Sequence, residues 1–263
     1  MKAALSRIVL GALLGLLLAG CQQQPVRDAG GENATGNLGS PLVSRSPADI
    51  YIELSAAYLR DNRLDEAFKN AKKGVIVDPS SSNAHYIMAL VQQRLGQTAE
   101  AGDSYRKSVA LDPRNPVALN AYGSFLCSLQ QYAEADSQFR RALNNPLYAT
   151  PWLAMHNAGQ CKERAGDRDG AETDYRGALQ INPRFAPSLL GMARLSYQNG
   201  NYLSTRAYLQ RYAERAEHTS ESLWLGVQTE NQLGDRDQMA SYRLKLRSKF
   251  PDSNEASYLN TIE

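Results

Sequence analysis

Three cysteines and three histidines are the residues of this 263-residue chain best suited to chemistry, and their spacing sorts them. Cys21 follows Leu18-Ala19-Gly20 at the end of an apolar run, where a thiol is placed for acylation. Cys127 and Cys161 stand 34 residues apart, fit for one disulfide or for two separate buried thiols. His85, His156 and His218 have no second His or Cys at ligand spacing, so each reads as a solvated or internally satisfied helix residue. The acid pairs Asp65-Glu66 and Asp167 with Asp169 fall in turns, where solvated charge accounts for them. There is no Gly-rich phosphate loop, no Gly-x-Ser-x-Gly and no His-Glu-x-x-His. Two thiols without a histidine cluster do not make a structural zinc site. The sequence therefore implies no catalytic residue, no metal and no cofactor.

The surroundings of Cys21 set its chemistry. Met1, Lys2 and Arg7 form a short basic leader, and Ile8 to Leu18 is apolar, the layout of a secretory signal peptide over residues 1–20. The run falls short of the roughly 20 residues a spanning helix needs, which argues against the alternative of a transmembrane anchor. A small pair before cysteine resembles a bacterial lipobox. That resemblance implies diacylglycerol transfer to the Cys21 sulfur, cleavage before Cys21 and N-acylation of the new terminus. Gln22, rather than Asp, resembles the sorting pattern of lipoproteins held at the periplasmic face of the outer membrane.

Loss of the leader changes the charge. Lys2 and Arg7 leave without any acid, so 29 basic residues against 27 acidic become 27 against 27. A neutral mature chain lacks the basic stripe of a nucleic-acid binder. Residues 21–46 are rich in Gln, Gly, Asn, Ser and Pro, and bury too little to offset their ordering entropy. They read as a lipidated flexible linker with a reach of roughly 25–30 Å, or alternatively as a segment that orders on a partner.

One period organises residues 47–263. Asp78-Pro79 and Asp112-Pro113 are 34 apart, and Asn182-Pro183 and Pro251 follow at near multiples. Ala67, Ala101, Ala135 and Ala171 recur where two helices would cross closely, while Tyr105, Phe139 and Tyr175 would fill the space between neighbouring units. Little of the chain alternates apolar and polar residues, which argues against sheet. This resembles the tetratricopeptide repeat. The resemblance implies an all-α, right-handed superhelical solenoid of six helix-turn-helix units, at about 48–81, 82–115, 116–151, 152–185, 186–219 and 220–251. A capping helix over 252–263 would bury Tyr258, Leu259 and Ile262.

The period breaks between units three and four. Ala135 and Ala171 are 36 apart, and Asn145-Pro146-Leu147-Tyr148-Ala149-Thr150-Pro151-Trp152 carries the surplus as a stiff connection, with Tyr148 and Trp152 expected on the solenoid. Cys127 and Cys161 flank it on neighbouring parallel helices. With Cys21 consumed by lipid and the compartment oxidising, a Cys127–Cys161 bridge is expected, stabilising by about 3–4 kcal/mol in the chain-entropy model. Two separate thiols remain the alternative.

Such a solenoid offers a groove lined by its first helices. The helical phase places Ile52, Ala56 and Leu59 there in unit one, Tyr86, Leu90 and Arg94 in unit two, Asn120 and Ser124 in unit three, and His156 and Gln160 in unit four. Its apolar start would suit a peptide or helix. A rotation of one residue would instead turn these positions into core.

Beyond the repeat, four segments carry a more specific likeness: Leu119-Asn-Ala-Tyr-Gly-Ser-Phe-Leu-Cys127, Gln131-Tyr-Ala-Glu-Ala135, Asn145-Pro-Leu-Tyr148 and Asn157-Ala-Gly-Gln-Cys161. Together with the lipobox and tether, they resemble the type IV pilus biogenesis and stability lipoproteins that act as secretin pilotins. The resemblance implies a non-enzymatic, outer-membrane, lipid-anchored scaffold. It would be a monomer that binds a secretin subunit and promotes its localisation and multimerisation. Two other classes fit the same layout: a repeat lipoprotein of outer-membrane protein assembly, and an adaptor for peptidoglycan enzymes.

Overall fold

The computed structural model describes residues 46–259, and among them there are thirteen helices and no strand. Six pairs follow one another: α1 (Pro47–Arg60) with α2 (Leu64–Val77), α3 (Ser82–Arg94) with α4 (Thr98–Leu111), α5 (Pro116–Ser128) with α6 (Tyr132–Leu143), α7 (Pro151–Arg164) with α8 (Arg168–Ile181), α9 (Ala186–Gln198) with α10 (Tyr202–Ala213), and α11 (Ser220–Leu233) with α12 (Arg236–Lys249). A short α13 (Asn254–Tyr258) packs on the last pair. Each helix packs most heavily on its partner, and each first helix also touches the next first helix. The result is a tetratricopeptide-type solenoid.

Local chemistry starts and stops these helices. Ser46 caps α1 through a capping box with Asp49, and Asn115 Oδ1 accepts the Val117 and Ala118 amides ahead of α5. Pro47, Pro116 and Pro151 occupy first helical positions, where no amide hydrogen is needed.

Inside every pair the chain reverses through one left-handed residue: Asn62, Gly96, Gln130, Gly166, Gly200 and Gly234. The next amide in each case bonds back to a carbonyl five residues earlier, as Arg63 N to Tyr58 O at 2.8 Å and Asp235 N to Glu230 O at 3.0 Å. The six positions are 34 residues apart except for the interval of 36 between Gln130 and Gly166, which holds the insertion.

Close crossings explain the small residues. Ala67, Ala101, Ala135 and Ala171 are fully buried. A Cβ on Gly123 would lie 2.7 Å from Phe139 Cε1, and one on Gly159 would lie 2.8 Å from Tyr175 Cδ1. Tyr105, Phe139 and Tyr175 are themselves fully buried. Tyr175 is clasped from both sides, since a Cβ on Gly191 of the next unit would meet its ring at 2.8 Å. In the insertion Tyr148 is buried in the central core, Trp152 is half-buried and Leu147 is 89% exposed.

At the C-terminus Leu259 is buried with Leu223, Val227 and Leu246. Tyr258 does not join it, contrary to the sequence expectation. It is 48% exposed and meets the edge of the stack, its ring 5.7 Å from that of Trp224. One turn of helix cannot turn both neighbours inward. Ile262 lies outside the described residues.

Candidate functional site

The positions expected to line the groove separate into three groups. Ile52, Ala56 and Leu59 of α1 are half-buried and pack on the cluster of Ala67, Ala71, Ile87, Met88 and Val91. Tyr86 and Leu90 of α3 bridge that cluster and the central core. These four large side chains, Ile52, Leu59, Tyr86 and Leu90, therefore divide their surface between core and solvent instead of forming a free apolar strip. Burial also raises the Tyr86 phenol pKa. Arg94 is exposed and donates to Asn62 Oδ1 at 2.9 Å.

Further along, the row is polar and joins one unit to the next. Asn157 Nδ2 donates to Asn120 Oδ1 at 3.0 Å, and Ser124 Oγ donates back to the Asn120 carbonyl. Arg194 of α9 grips Glu163 of α7 through two bonds, Nε to Oε1 at 2.6 Å and a terminal nitrogen to Oε2 at 3.0 Å. Its other terminal nitrogen reaches Glu221 of α11 at 2.6 Å, so one guanidinium ties three first helices together. Tyr175 Oη adds a bond to Glu163 Oε2 at 2.8 Å. Arg194 and these hydrogen bonds hold the Glu163 carboxyl below its ordinary pKa against the opposing effect of burial. Beside this network opens a polar cleft of about 500 Å³, lined by Gln160, Glu163, Arg164, Arg168, Arg194 and Gln198. A second cleft, of about 1020 Å³, lies between the α4–α5 and α6–α7 connections, with Asn115, Val117, Arg141 and Leu147 on its walls.

His156 does not line an open groove, contrary to the sequence expectation. It is 7% exposed, its Nδ1 lies 3.0 Å from Ser188 Oγ, and its ring packs on Tyr175 and Phe185. Desolvation, with Arg194 nearby, lowers its pKa to about 4. A hydroxyl and an imidazole at this distance resemble a nucleophile and its base, but this pair is sealed inside the stack. The other such pair, His218 and Ser222, is also committed, because Ser222 Oγ donates to the Thr219 carbonyl and serves the α11 capping box. Among the described residues no group of three or more His, Cys, Asp or Glu side chains is arranged to hold a metal ion.

Cys127 and Cys161, both buried, are joined across α5 and α7 with their Cα atoms 5.7 Å apart. Cys21 lies outside the described residues, as do the leader and nearly all of the tether. Among the described residues no helix is long and apolar enough to cross a membrane.

Comparison with known proteins fits this architecture. The tetratricopeptide repeat family matches residues 82–115, 104–136 and 154–185. Over 254 residues the chain is 30% identical to the type IV pilus assembly protein PilF of Pseudomonas aeruginosa, covering 97% of this chain and 96% of that one. The chain belongs to the PilF family. A solved structure of Pseudomonas aeruginosa PilF superposes with a TM-score of 0.76 over 82% of this chain and 97% of that one, at 30% identity. A crystal structure of PilW, described as a widely conserved type IV pilus biogenesis factor, gives the same TM-score at 27% identity, covering 82% of this chain and all of that one. As a PilF-family member, this chain is a tetratricopeptide repeat protein of type IV pilus biogenesis.

Sequence reasoning missed two elements of the PilF-family scaffold. The Glu163–Arg194–Glu221 network joins residues 31 and 27 positions apart, spacings that carry no local signature. The left-handed residue of each reversal was legible as glycine in four units but hidden by Asn62 and Gln130 in the other two.

Proposed function

We propose that this protein is the pilotin of a type IV pilus secretin: a non-enzymatic lipoprotein, anchored through Cys21 at the periplasmic face of the outer membrane. It binds the secretin subunit and promotes its assembly there. The end-to-end relationship to PilF carries the reading. The lipobox Leu18-Ala19-Gly20-Cys21 supplies the anchor, and a repeat solenoid with clefts along its first helices supplies the binding scaffold.

The physical logic is local concentration and protection. A secretin monomer exposes strand edges before its barrel closes, and unpaired edges aggregate. A scaffold tethered by lipid would hold monomers at the membrane, where each raises the effective concentration seen by the next. The half-apolar start of the groove at Ile52, Leu59, Tyr86 and Leu90 would take an amphipathic segment, and Arg94 and Asn120 would hydrogen-bond to it. Capture after mild crosslinking in cells tests the partner. The reading predicts the secretin subunit on this protein, and its loss when Tyr86 and Leu90 are both replaced by Asp. An assembly factor for other barrels or a peptidoglycan enzyme in its place contradicts the reading.

A further inference from the structure

The solenoid begins on an unusual surface. Terminal units of repeat proteins normally turn a polar face outward, because nothing stacks there. Of the eleven exposed large apolar side chains among the described residues, four belong to the first helix pair: Ile50, Leu54, Ile76 and Val77, with Ile76 65% exposed. On α2 the sequence Lys69, Lys72, Lys73, Ile76 runs at helical spacing i, i+3, i+4, i+7, so three exposed lysines and the isoleucine share one face. Ile50 and Leu54 share a face of α1 by the same rule.

The two helices present these groups together. The last turn of α2 lies against the first turn of α1, since a Cβ on Gly74 would be in ordinary contact with Tyr51 Cβ at 3.7 Å. Lys73 Nζ then sits 5.5 Å from the centre of the Tyr51 ring. Ile50 and Ile76 therefore lie at the same end of the unit. Asp49 is engaged in the capping box with Ser46, Glu53 is also engaged and Asp78 binds Ser80; on α2 itself Glu66 pairs with Arg63, and Asp65, four residues before Lys69, is exposed at the start of the lysine face. Beyond Asp65 that face carries Lys69, Lys72 and Lys73, all exposed, with the exposed aliphatic side chains beside them at its C-terminal end.

We propose that this face of α1 and α2 seats the protein on an anionic phospholipid surface, with Lys69, Lys72 and Lys73 on the lipid phosphates and Ile76, Val77, Ile50 and Leu54 among the headgroups. Cationic and aliphatic groups on one surface are the combination that interfacial membrane binding uses. This rests on the lipid-anchor reading above, which puts α1 about 25 residues from Cys21. A tether with a reach of roughly 25–30 Å holds the first unit near the bilayer at high effective concentration. Docking there orients the stack, so that its later units point away from the membrane toward a partner.

The test uses the full lipidated protein reconstituted in vesicles of phosphatidylglycerol with phosphatidylcholine, carrying an apolar fluorophore at Ile76→Cys. Leu203→Cys on α10, 70% exposed, is the control position. A nitroxide-headgroup lipid should quench the 76 label far more than the 203 label. The triple change K69Q/K72Q/K73Q should bring quenching at 76 down to the control level while leaving helicity and melting unchanged, and salt should weaken it. Flotation with the vesicles reports the anchor separately. Failure to float overturns the anchor and this proposal with it. Flotation with equal quenching at both sites, or quenching that the lysine changes leave intact, overturns the docking face alone. Equal shielding of the 76 label from aqueous iodide in pure phosphatidylcholine vesicles would assign the face to a cover from the chain itself, and overturns the proposal too.

Discussion

Arg194 Nε lies 2.6 Å from Glu163 Oε1, a contact that couples α9 to α7 across a unit boundary. The same guanidinium reaches Glu221 on α11, so the stack is pinned along its first helices by one residue. Arg194→Ala leaves Glu163, which is mostly buried, without its cation. The expected cost is about 2–4 kcal/mol, read from urea unfolding. Arg194→Lys should recover only part of it, because a single ammonium cannot reproduce the two-pronged grip. If Arg194→Ala unfolds at the same urea midpoint, the network does not contribute.

Glycines that look alike in sequence should respond differently to alanine. Gly123 and Gly159 face aromatic rings at 2.7 and 2.8 Å, so Gly123→Ala and Gly159→Ala should destabilise by about 1–3 kcal/mol through overpacking. Gly96 has nothing within 4 Å, but its φ is +74°, so Gly96→Ala should cost about 1 kcal/mol from backbone strain alone. Gln130 has a φ of 61°, and Gln130→Gly should stabilise by about 0.5–1 kcal/mol. Thermal melting of the four variants checks the order.

The repeat was legible because its constraints are local and steric. Only a small side chain fits at Ala135 or Gly123 against Phe139, and proline marks the helix boundaries at Pro79, Pro113 and Pro183. The groove was less legible. Adjacent positions on a helix are rotated by about 100°, so a small phase error moved His156 from an inner wall to an expected opening. Ile52, Leu59, Tyr86 and Leu90 sit between the two descriptions, touching core with one side and solvent with the other. Local periodicity does not resolve a boundary position of that kind.

His156 makes stability depend on pH in a definite window. Its folded pKa of about 4 lies below the ordinary 6.5, so between those values the unfolded chain binds the extra proton. Stability should therefore rise with pH from about 4 to 6.5 and level off above. The loss on acidification should reach roughly 2–3 kcal/mol by pH 4. His156→Gln should flatten this part of the curve, and an unchanged slope in urea titrations at pH 4.5, 5.5 and 6.5 would exclude the residue as its source.

The bridge between Cys127 and Cys161 closes a loop of 34 residues. The intact protein should gain two hydrogens in mass on reduction, and Cys127→Ala with Cys161→Ala should lower stability by about 3–4 kcal/mol. A protein isolated from the periplasmic compartment that shows no mass change would carry two free thiols instead.

On the function proposed above, this repeat scaffold acts through where its lipid holds it. The most direct measurement is the amount of heat-resistant secretin multimer in outer-membrane fractions from cells in which this protein carries Cys21→Ala at normal abundance. The variant should fold, leave the outer membrane, and take most of the multimer with it. Multimers that form in the outer membrane at the level of the unaltered strain would contradict that function.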